Sequence, residues 1–161
     1  MSALRKGLLL AALQVALVSS LGVKLLIDRR TLPRAWVKTV PFDPNLPIRG
    51  RYASLALQVR VKGSEAVQQG RPVALLVEAD ELVAIPTSKD MGVRLRPTRP
   101  GGDAAAVLSE PVPFFLPEHA SDPSRRPAGE ELWVEVSVPP KGMPRPIRLG
   151  VRKGGVLTPL D

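Results

Sequence analysis

The sequence predicts a mainly β protein, with an N-terminal single transmembrane helix followed by a compact antiparallel β-sandwich or partly open barrel domain. Three observations predict this class. A long apolar segment lies near the N-terminus, apolar and polar residues alternate in several later segments, and 18 prolines with 13 glycines supply frequent turn signals. At 161 residues, the chain has room for one ordinary domain and an appendage.

The N-terminal segment predicts a membrane anchor. Residues 7–27 are apolar apart from Gln14, Lys24 and two serines, and a helix of this length extends about 30 Å, enough to cross a hydrocarbon core. Lys24 lies near one end of the segment, where its long stem can carry the ammonium group to the interface. We therefore assign residues 1–30 to an anchor, with the signal-anchor helix over about 7–27, and residues 31–161 to the β domain.

Two alternatives to an uncleaved anchor remain open. A cleaved signal peptide also has a basic start and an apolar stretch, and Val18-Ser19-Ser20 or Ser20-Leu21-Gly22 would serve as cleavage sites. Apolar residues resume at 25–27, beyond either site, which favours the anchor. A buried core helix is disfavoured because residues 7–21 have no polar face. Basic residues flank both ends of the segment, so charge alone does not choose its orientation.

Alternation then predicts three half-buried strands, at residues 53–61, 132–138 and 147–151. In the first strand, Leu55, Leu57 and Val59 point inward, and the polar residues fall between them. In the second strand, Leu132, Val134, Val136 and Val138 point inward, with Trp133, Glu135 and Ser137 outward. In the third strand, Ile147, Leu149 and Val151 point inward, with Arg148 and Arg152 outward. These patterns place one face of each strand on a core.

Weaker strand signals occur at residues 72–79, 81–85 and 93–96. Residues 97–104 and 117–129 are predicted to be loops because they are rich in glycine, proline, serine and aspartate. Short strands at this spacing, with no long helical period after residue 30, favour a sandwich or an open barrel.

Charge and composition narrow the class of function. The formal net charge is +8, of which residues 1–30 carry +4, so the β domain is only mildly basic. Without cysteine, the chain has no disulfide and no thiolate metal site. Nucleic-acid binding is not expected because the domain has few aromatic residues among its cations. The outward cations either form a solvated face or meet anionic lipid, an envelope polymer or an acidic partner; these are Arg60, Lys62, Arg94, Arg96, Arg148 and Arg152.

Catalytic signals are sparse. His119 is the only histidine, and its acidic neighbours Glu118 and Asp122 lie in a proline-rich loop without a nucleophile motif. Their spacing matches no usual ligand pattern, so neither a metal nor a cofactor is predicted. An envelope hydrolase using His119 with Glu118 or Asp122 is the alternative to a binding protein, and the sequence favours the binding protein.

Three segments carry a family resemblance: DPNLPIRGRYASLAL at 43–57, FFLPEH at 114–119 and GEELWVEVSVPPKGMPRPIRLGV at 129–151. They resemble the GDYXXLXY family, bacterial membrane proteins with a single anchor. Gly50, Tyr52 and Leu55 match the naming motif, whereas Arg51 stands for its aspartate and Leu57 for its second tyrosine. Arginine cannot accept a proton, so the resemblance implies no catalytic or metal-binding carboxylate at position 51.

The resemblance also implies a location and a partner. Members of the family are often encoded beside polytopic membrane proteins, which implies a membrane partner and a domain on the extracytoplasmic side. We therefore expect a single-pass protein of the inner, cytoplasmic membrane with a periplasmic C-terminal domain. This domain would be an accessory or binding domain for a polytopic membrane protein or an envelope component. The expected contact residues are Arg49, Arg51, Tyr52, Phe115 and Glu118.

Overall fold

The computed structural model describes residues 3–42, 52–63, 71–97, 105–116 and 126–160. The chain forms two compact units, Met1–Leu32 and Pro33–Asp161. The first unit contains helix α1 (Ala3–Thr31), and its stretch Arg5–Asp28 is long and apolar enough to cross a membrane by length and composition. Its side chains from position 5 to 27 are exposed all round, which fits a spanning helix better than one packed into a core.

The described part of the second unit contains ten strands. In chain order they are β1 (Arg34–Phe42), β2 (Tyr52–Val61), β3 (Val73–Glu78), β4 (Glu81–Pro86), β5 (Leu95–Pro97), β6 (Ala105–Leu108), β7 (Val112–Phe115), β8 (Glu130–Ser137), β9 (Arg145–Lys153) and β10 (Val156–Pro159). The protein is therefore mainly β with an N-terminal apolar helix, which confirms the predicted fold class.

The strands form one curled sheet centred on β2. The main path runs β10-β9-β8-β1-β2-β4-β3, while β6 and β7 also pair with β2, and β5 pairs with β6. All of these pairings are antiparallel except that of β2 with β4. The backbone N–H of Val73 donates to the carbonyl of Val93 at 3.1 Å, and a bridge joins Pro72 to Arg94. These contacts bring the start of β3 to β5, so the sheet curls into a partly open half-barrel.

The concave side of the sheet holds an aliphatic core. In β2, Leu55, Leu57 and Val59 are at most 1% exposed, as their alternation predicts. The inward row of β8 is also buried, with Leu132 at 4% exposure and Val134 and Val136 at 0%. Among the described residues, the largest fully buried side chains are all leucine or valine. Among the aromatic side chains whose burial is described, Trp36, Phe114 and Trp133 are half-buried and Tyr52 and Phe115 are exposed, so none is fully inside this core.

A β-bulge changes the predicted exposure at the start of β9. The register shifts between Glu135 and Val136 in β8, which pair with Arg148 and Pro146. Ile147 is the extra residue of the bulge, so it is half-buried and not fully inward. On β8, Glu135 and Ser137 were expected to be outward, but both are buried. Neighbouring arginines cover Glu135, and the hydroxyl of Ser137 donates to the carbonyl of Arg145 at 3.4 Å.

The sequence missed four strands: β1, β6, β7 and β10. Three of them have only four residues, too few for alternation to give a signal. Proline also occurs in β1, β7 and β10, and a proline in a run of residues argues against a central strand. Of the predicted loops, residues 126–129 are described and contain no strand, and Pro97, predicted to begin a loop, is instead the last residue of β5. Residues 98–104 and 117–125 lie outside the described residues.

Candidate functional site

Two of the predicted contact residues meet in the structure. Tyr52 begins β2, Phe115 ends β7, and the antiparallel register places them opposite each other. Their ring centroids lie 5.5 Å apart at an interplanar angle of 70°, an edge-to-face contact. Tyr52 is 49% exposed and Phe115 is 60% exposed. Because large aromatic residues are usually buried, this exposed pair, here called the aromatic corner, is a candidate contact surface.

The other predicted site residues belong to segments that the structure does not describe. The expected contact residues Arg49, Arg51 and Glu118 lie outside the described residues, as do His119 and Asp122. In the part of the chain that the structure describes, no three His, Cys, Asp or Glu side chains are grouped so that they could hold a metal ion. The aromatic corner is thus the part of the predicted contact surface that lies within the described residues.

A cleft of about 340 Å³ is lined partly by β7, the strand that ends with Phe115 of the aromatic corner. Its lining comes from the segment that leads into β7 and from the start of β9: Glu110, Pro111, Val112, Pro113, Met143, Pro144, Arg145 and Pro146. Four of these residues are prolines, which have no backbone N–H to donate. The cleft therefore offers mainly apolar contacts and few backbone N–H donors.

A second surface feature covers the outer side of β1, β8 and β9. Its residues alternate with buried core residues, so they project from the convex side of the sheet. Both tryptophans of the chain belong to it, with cations and carboxylates around them. We call it the tryptophan face, and its members are Arg34, Trp36, Lys38, Glu131, Trp133, Glu135, Arg148 and Arg152.

Each tryptophan of this face has an arginine beside its ring. The guanidinium carbon of Arg148 lies 5.5 Å from the ring centroid of Trp36, and that of Arg152 lies 4.9 Å from the ring centroid of Trp133. Both distances fall within the range of cation–π attraction. Trp36 also extends over Gly150, where an added Cβ atom would lie 2.8 Å from its Cζ3 atom. Glycine at position 150 therefore leaves the room in which the Trp36 indole lies.

Two glutamates connect the charges of the tryptophan face. Glu135 accepts a hydrogen bond from Arg148 Nε at 2.6 Å, and its other oxygen lies 3.6 Å from Arg34 Nη1. Glu131 pairs with Lys38 and accepts a hydrogen bond from Trp133 Nε1 at 3.2 Å. These pairs cross three strands, so the face is held in one arrangement by contacts between distant parts of the chain.

The pKa of Glu131 is lowered from its ordinary value of 4.5, and the hydrogen bond from Lys38 is the largest cause. Burial opposes the shift, and the hydrogen bond from Trp133 adds to it. Because the folded pKa lies below the unfolded one, ionised Glu131 stabilises the fold above pH 4.5. That contribution is lost as the pH falls through the lowered value. Glu131 is the group of this face whose titration the structure most clearly perturbs.

We expect the substitution Lys38→Gln to raise the pKa of Glu131 toward 4.5, since it removes the main donor to the carboxylate. An NMR titration of the side-chain carboxyl carbon measures the change. Arg96→Gln is the control because Arg96 is an exposed cation outside the tryptophan face, and it should leave the titration unchanged. A pKa of Glu131 that stays equally low in Lys38→Gln would contradict the contact.

The sequence found parts of this surface but not its organisation. All six cations predicted to point outward are exposed, and two of them, Arg148 and Arg152, belong to the tryptophan face. Trp36 was missed because β1 was not recognised, although buried Ala35 and Val37 on either side of Trp36 show the alternation that could have revealed it. The pairing of each tryptophan with its arginine depends on strand order, which alternation does not give.

Comparison with known proteins yields no assignment. No protein-family model matches the chain, and no curated protein or solved structure matches it significantly. Membership of the GDYXXLXY family therefore stays a prediction from the motif residues, of which Tyr52 and Leu55 are described and Gly50 is not.

Proposed function

We propose that the protein is a membrane-anchored binding domain whose contact surface includes the aromatic corner. The exposed pair Tyr52 and Phe115 carries this proposal. About half of each ring is exposed, so a partner that covers both rings removes apolar surface from water, which favours binding. Aromatic residues of this kind frequently dominate the binding energy of protein interfaces.

The anchor supports a partner in or near the membrane. Helix α1 supplies an apolar span, and only Leu32 and Pro33 connect it to β1. The connection is short in sequence, so β1 begins within a few residues of the span. Together with the family resemblance, which implies an extracytoplasmic domain, the anchor supports the proposal that the domain is extracytoplasmic, at the inner membrane, and that it binds a polytopic membrane protein or an envelope component.

The cleft near β7 extends the proposed contact surface. It is lined mainly by apolar side chains, and Val112 and Pro113 belong to the same short strand as Phe115. A partner that covers Phe115 could therefore also place an apolar side chain in the cleft. The hydrolase alternative depends on His119, Glu118 and Asp122, and no observation of the described residues favours it.

A photoreactive phenylalanine analogue at position 115 tests the proposal in intact membranes. We expect one polytopic membrane protein or envelope component to be captured from position 115. The same analogue at Val156 is a matched control, since this residue is also an exposed apolar strand residue, 68% exposed on β10. The double substitution Tyr52→Ser and Phe115→Ser should weaken co-purification of the captured partner about tenfold or more, because the loss of even one hot-spot aromatic residue costs more than about 1.4 kcal/mol.

The control distinguishes a specific partner from crowding at the membrane. Identical products from positions 115 and 156 would contradict the proposal, as would co-purification that survives the double serine substitution. Circular dichroism of the double variant should match the wild type, because both side chains lie outside the core.

A further inference from the structure

The tryptophan face lies in the part of the chain that follows the anchor, and it carries a net positive charge. It contains four cations against two carboxylates, a net charge of +2. Its ion pairs hold the cations at the surface: Arg148 and Arg34 share Glu135, and Lys38 pairs with Glu131. The side chains of Arg148 and Lys38 are still 51% and 40% exposed, so their charge reaches the solvent side of the sheet.

The aromatic content of this face is unusual for a position outside the core. The two tryptophans lie half-buried on the convex side of the sheet, whereas the largest fully buried side chains among the described residues are leucine and valine. Indole has an apolar body and a polar N–H, and this combination favours the boundary between a bilayer and water. Arginine and lysine share that preference because their apolar stems can lie in the interface while the charged group reaches the headgroups.

The start of the face lies close in sequence to the apolar span. The span ends at Asp28, and Arg34 and Trp36 follow it by six and eight residues. Eight residues reach at most about 28 Å even when fully extended. Basic and aromatic residues at this distance from a span are within range of the headgroups, where each cation gains about 1 kcal/mol from an anionic surface.

We infer that the tryptophan face docks on the anionic lipid headgroups of the bilayer that holds α1. Its cations neutralise headgroup phosphates, and the indoles of Trp36 and Trp133 enter the interfacial region. This inference rests on the proposed membrane anchoring but not on the partner of the aromatic corner. Docking would give the domain a preferred side toward the lipid.

Intrinsic fluorescence tests the inference directly, because both tryptophans of the chain are members of the face. The full chain is reconstituted in vesicles of phosphatidylcholine alone or of three parts phosphatidylcholine to one part phosphatidylglycerol. Part of the acyl chains is brominated near the headgroup. We expect tryptophan emission to be quenched and shifted to shorter wavelength in the vesicles that contain phosphatidylglycerol, and both effects to diminish with added salt.

Charge substitutions give the matched comparison. Lys38→Gln with Arg152→Gln removes two cations of the face, and we expect the ratio of docked to undocked domain to fall about fivefold for each. Arg60→Gln with Lys62→Gln is the control, since these exposed cations of the β2 end also pair with glutamates, Glu81 and Glu78, but lie outside the face. The control variant should be quenched like the wild type.

Three results would overturn the inference. One is equal tryptophan quenching in neutral and anionic vesicles. Another is an equal loss of quenching in the Lys38→Gln, Arg152→Gln variant and in the Arg60→Gln, Lys62→Gln control. The third is quenching that requires native membrane proteins, which would assign the face to an acidic protein partner. Flotation of the chain with the vesicles measures anchoring separately, and capture at position 115 measures the partner of the aromatic corner, so failure of one proposal is distinguishable from failure of another.

Discussion

Replacing Leu13 and Leu17 together with arginine is expected to release the protein from membranes. Both side chains are exposed members of the apolar span, at 58% and 62% exposure. An arginine near the middle of a spanning helix costs about 3 kcal/mol relative to leucine, so the two substitutions together cost about 6 kcal/mol. This changes the insertion equilibrium by roughly four orders of magnitude. Alkaline extraction of membranes, followed by detection of the soluble and pelleted protein, measures the effect.

The matched control is Leu76→Arg, the same substitution at an exposed position of β3, with 44% exposure. It should leave the protein in the membrane pellet. Retention of the Leu13→Arg and Leu17→Arg double variant would contradict the anchor. N-terminal sequencing of the membrane-bound wild type separates an anchor from a signal peptide, because cleavage would give a chain that begins at Leu21 or Val23.

Replacing Leu57 with alanine is expected to lower the free energy of unfolding of the β domain by about 2–5 kcal/mol. Leu57 is fully buried in β2, the strand that pairs with β1, β4, β6 and β7. The substitution leaves a cavity among side chains from both halves of the curled sheet, and close-packed neighbours relax only partly into such a space. Denaturant unfolding of the full chain in detergent micelles, followed by tryptophan fluorescence, measures the loss.

Leu76→Ala removes the same atoms from a side chain that is largely exposed, and it should change the free energy of unfolding by about 0.5 kcal/mol or less. A similar loss for Leu57→Ala and Leu76→Ala would contradict the placement of the core. The pair therefore tests whether Leu57 belongs to the core without reference to any partner of the protein.

The predictions from sequence succeeded where the signal is local. Ten to twenty neighbouring residues are enough to predict the apolar span, the inward rows of β2 and β8 and the outward cations. Short strands such as β7 and β10 were missed because four residues with a proline give no period. Glu135 was predicted to be solvent-facing from its parity, and only the arginines of two other strands explain why it is buried.

In the candidate surfaces too, single residues could be predicted from the sequence, but their contacts depend on the tertiary structure. Tyr52 and Phe115 were both expected in a contact surface, but their edge-to-face contact requires the register of β2 with β7. Lys38 and Glu131 are 93 residues apart in the chain, and their pairing requires β1 to lie beside β8. Nothing in the segment around either residue specifies its partner.

The sequence by itself determined that the protein has an N-terminal apolar helix and a β domain with alternating strands. It did so because hydrophobic length and the two-residue period of a strand are properties of neighbouring residues. Only the tertiary structure decided that the two tryptophans share one face with four cations and that Tyr52 meets Phe115. Strand order and register depend on packing between residues far apart in the chain, and that packing sets which side chains meet at the surface.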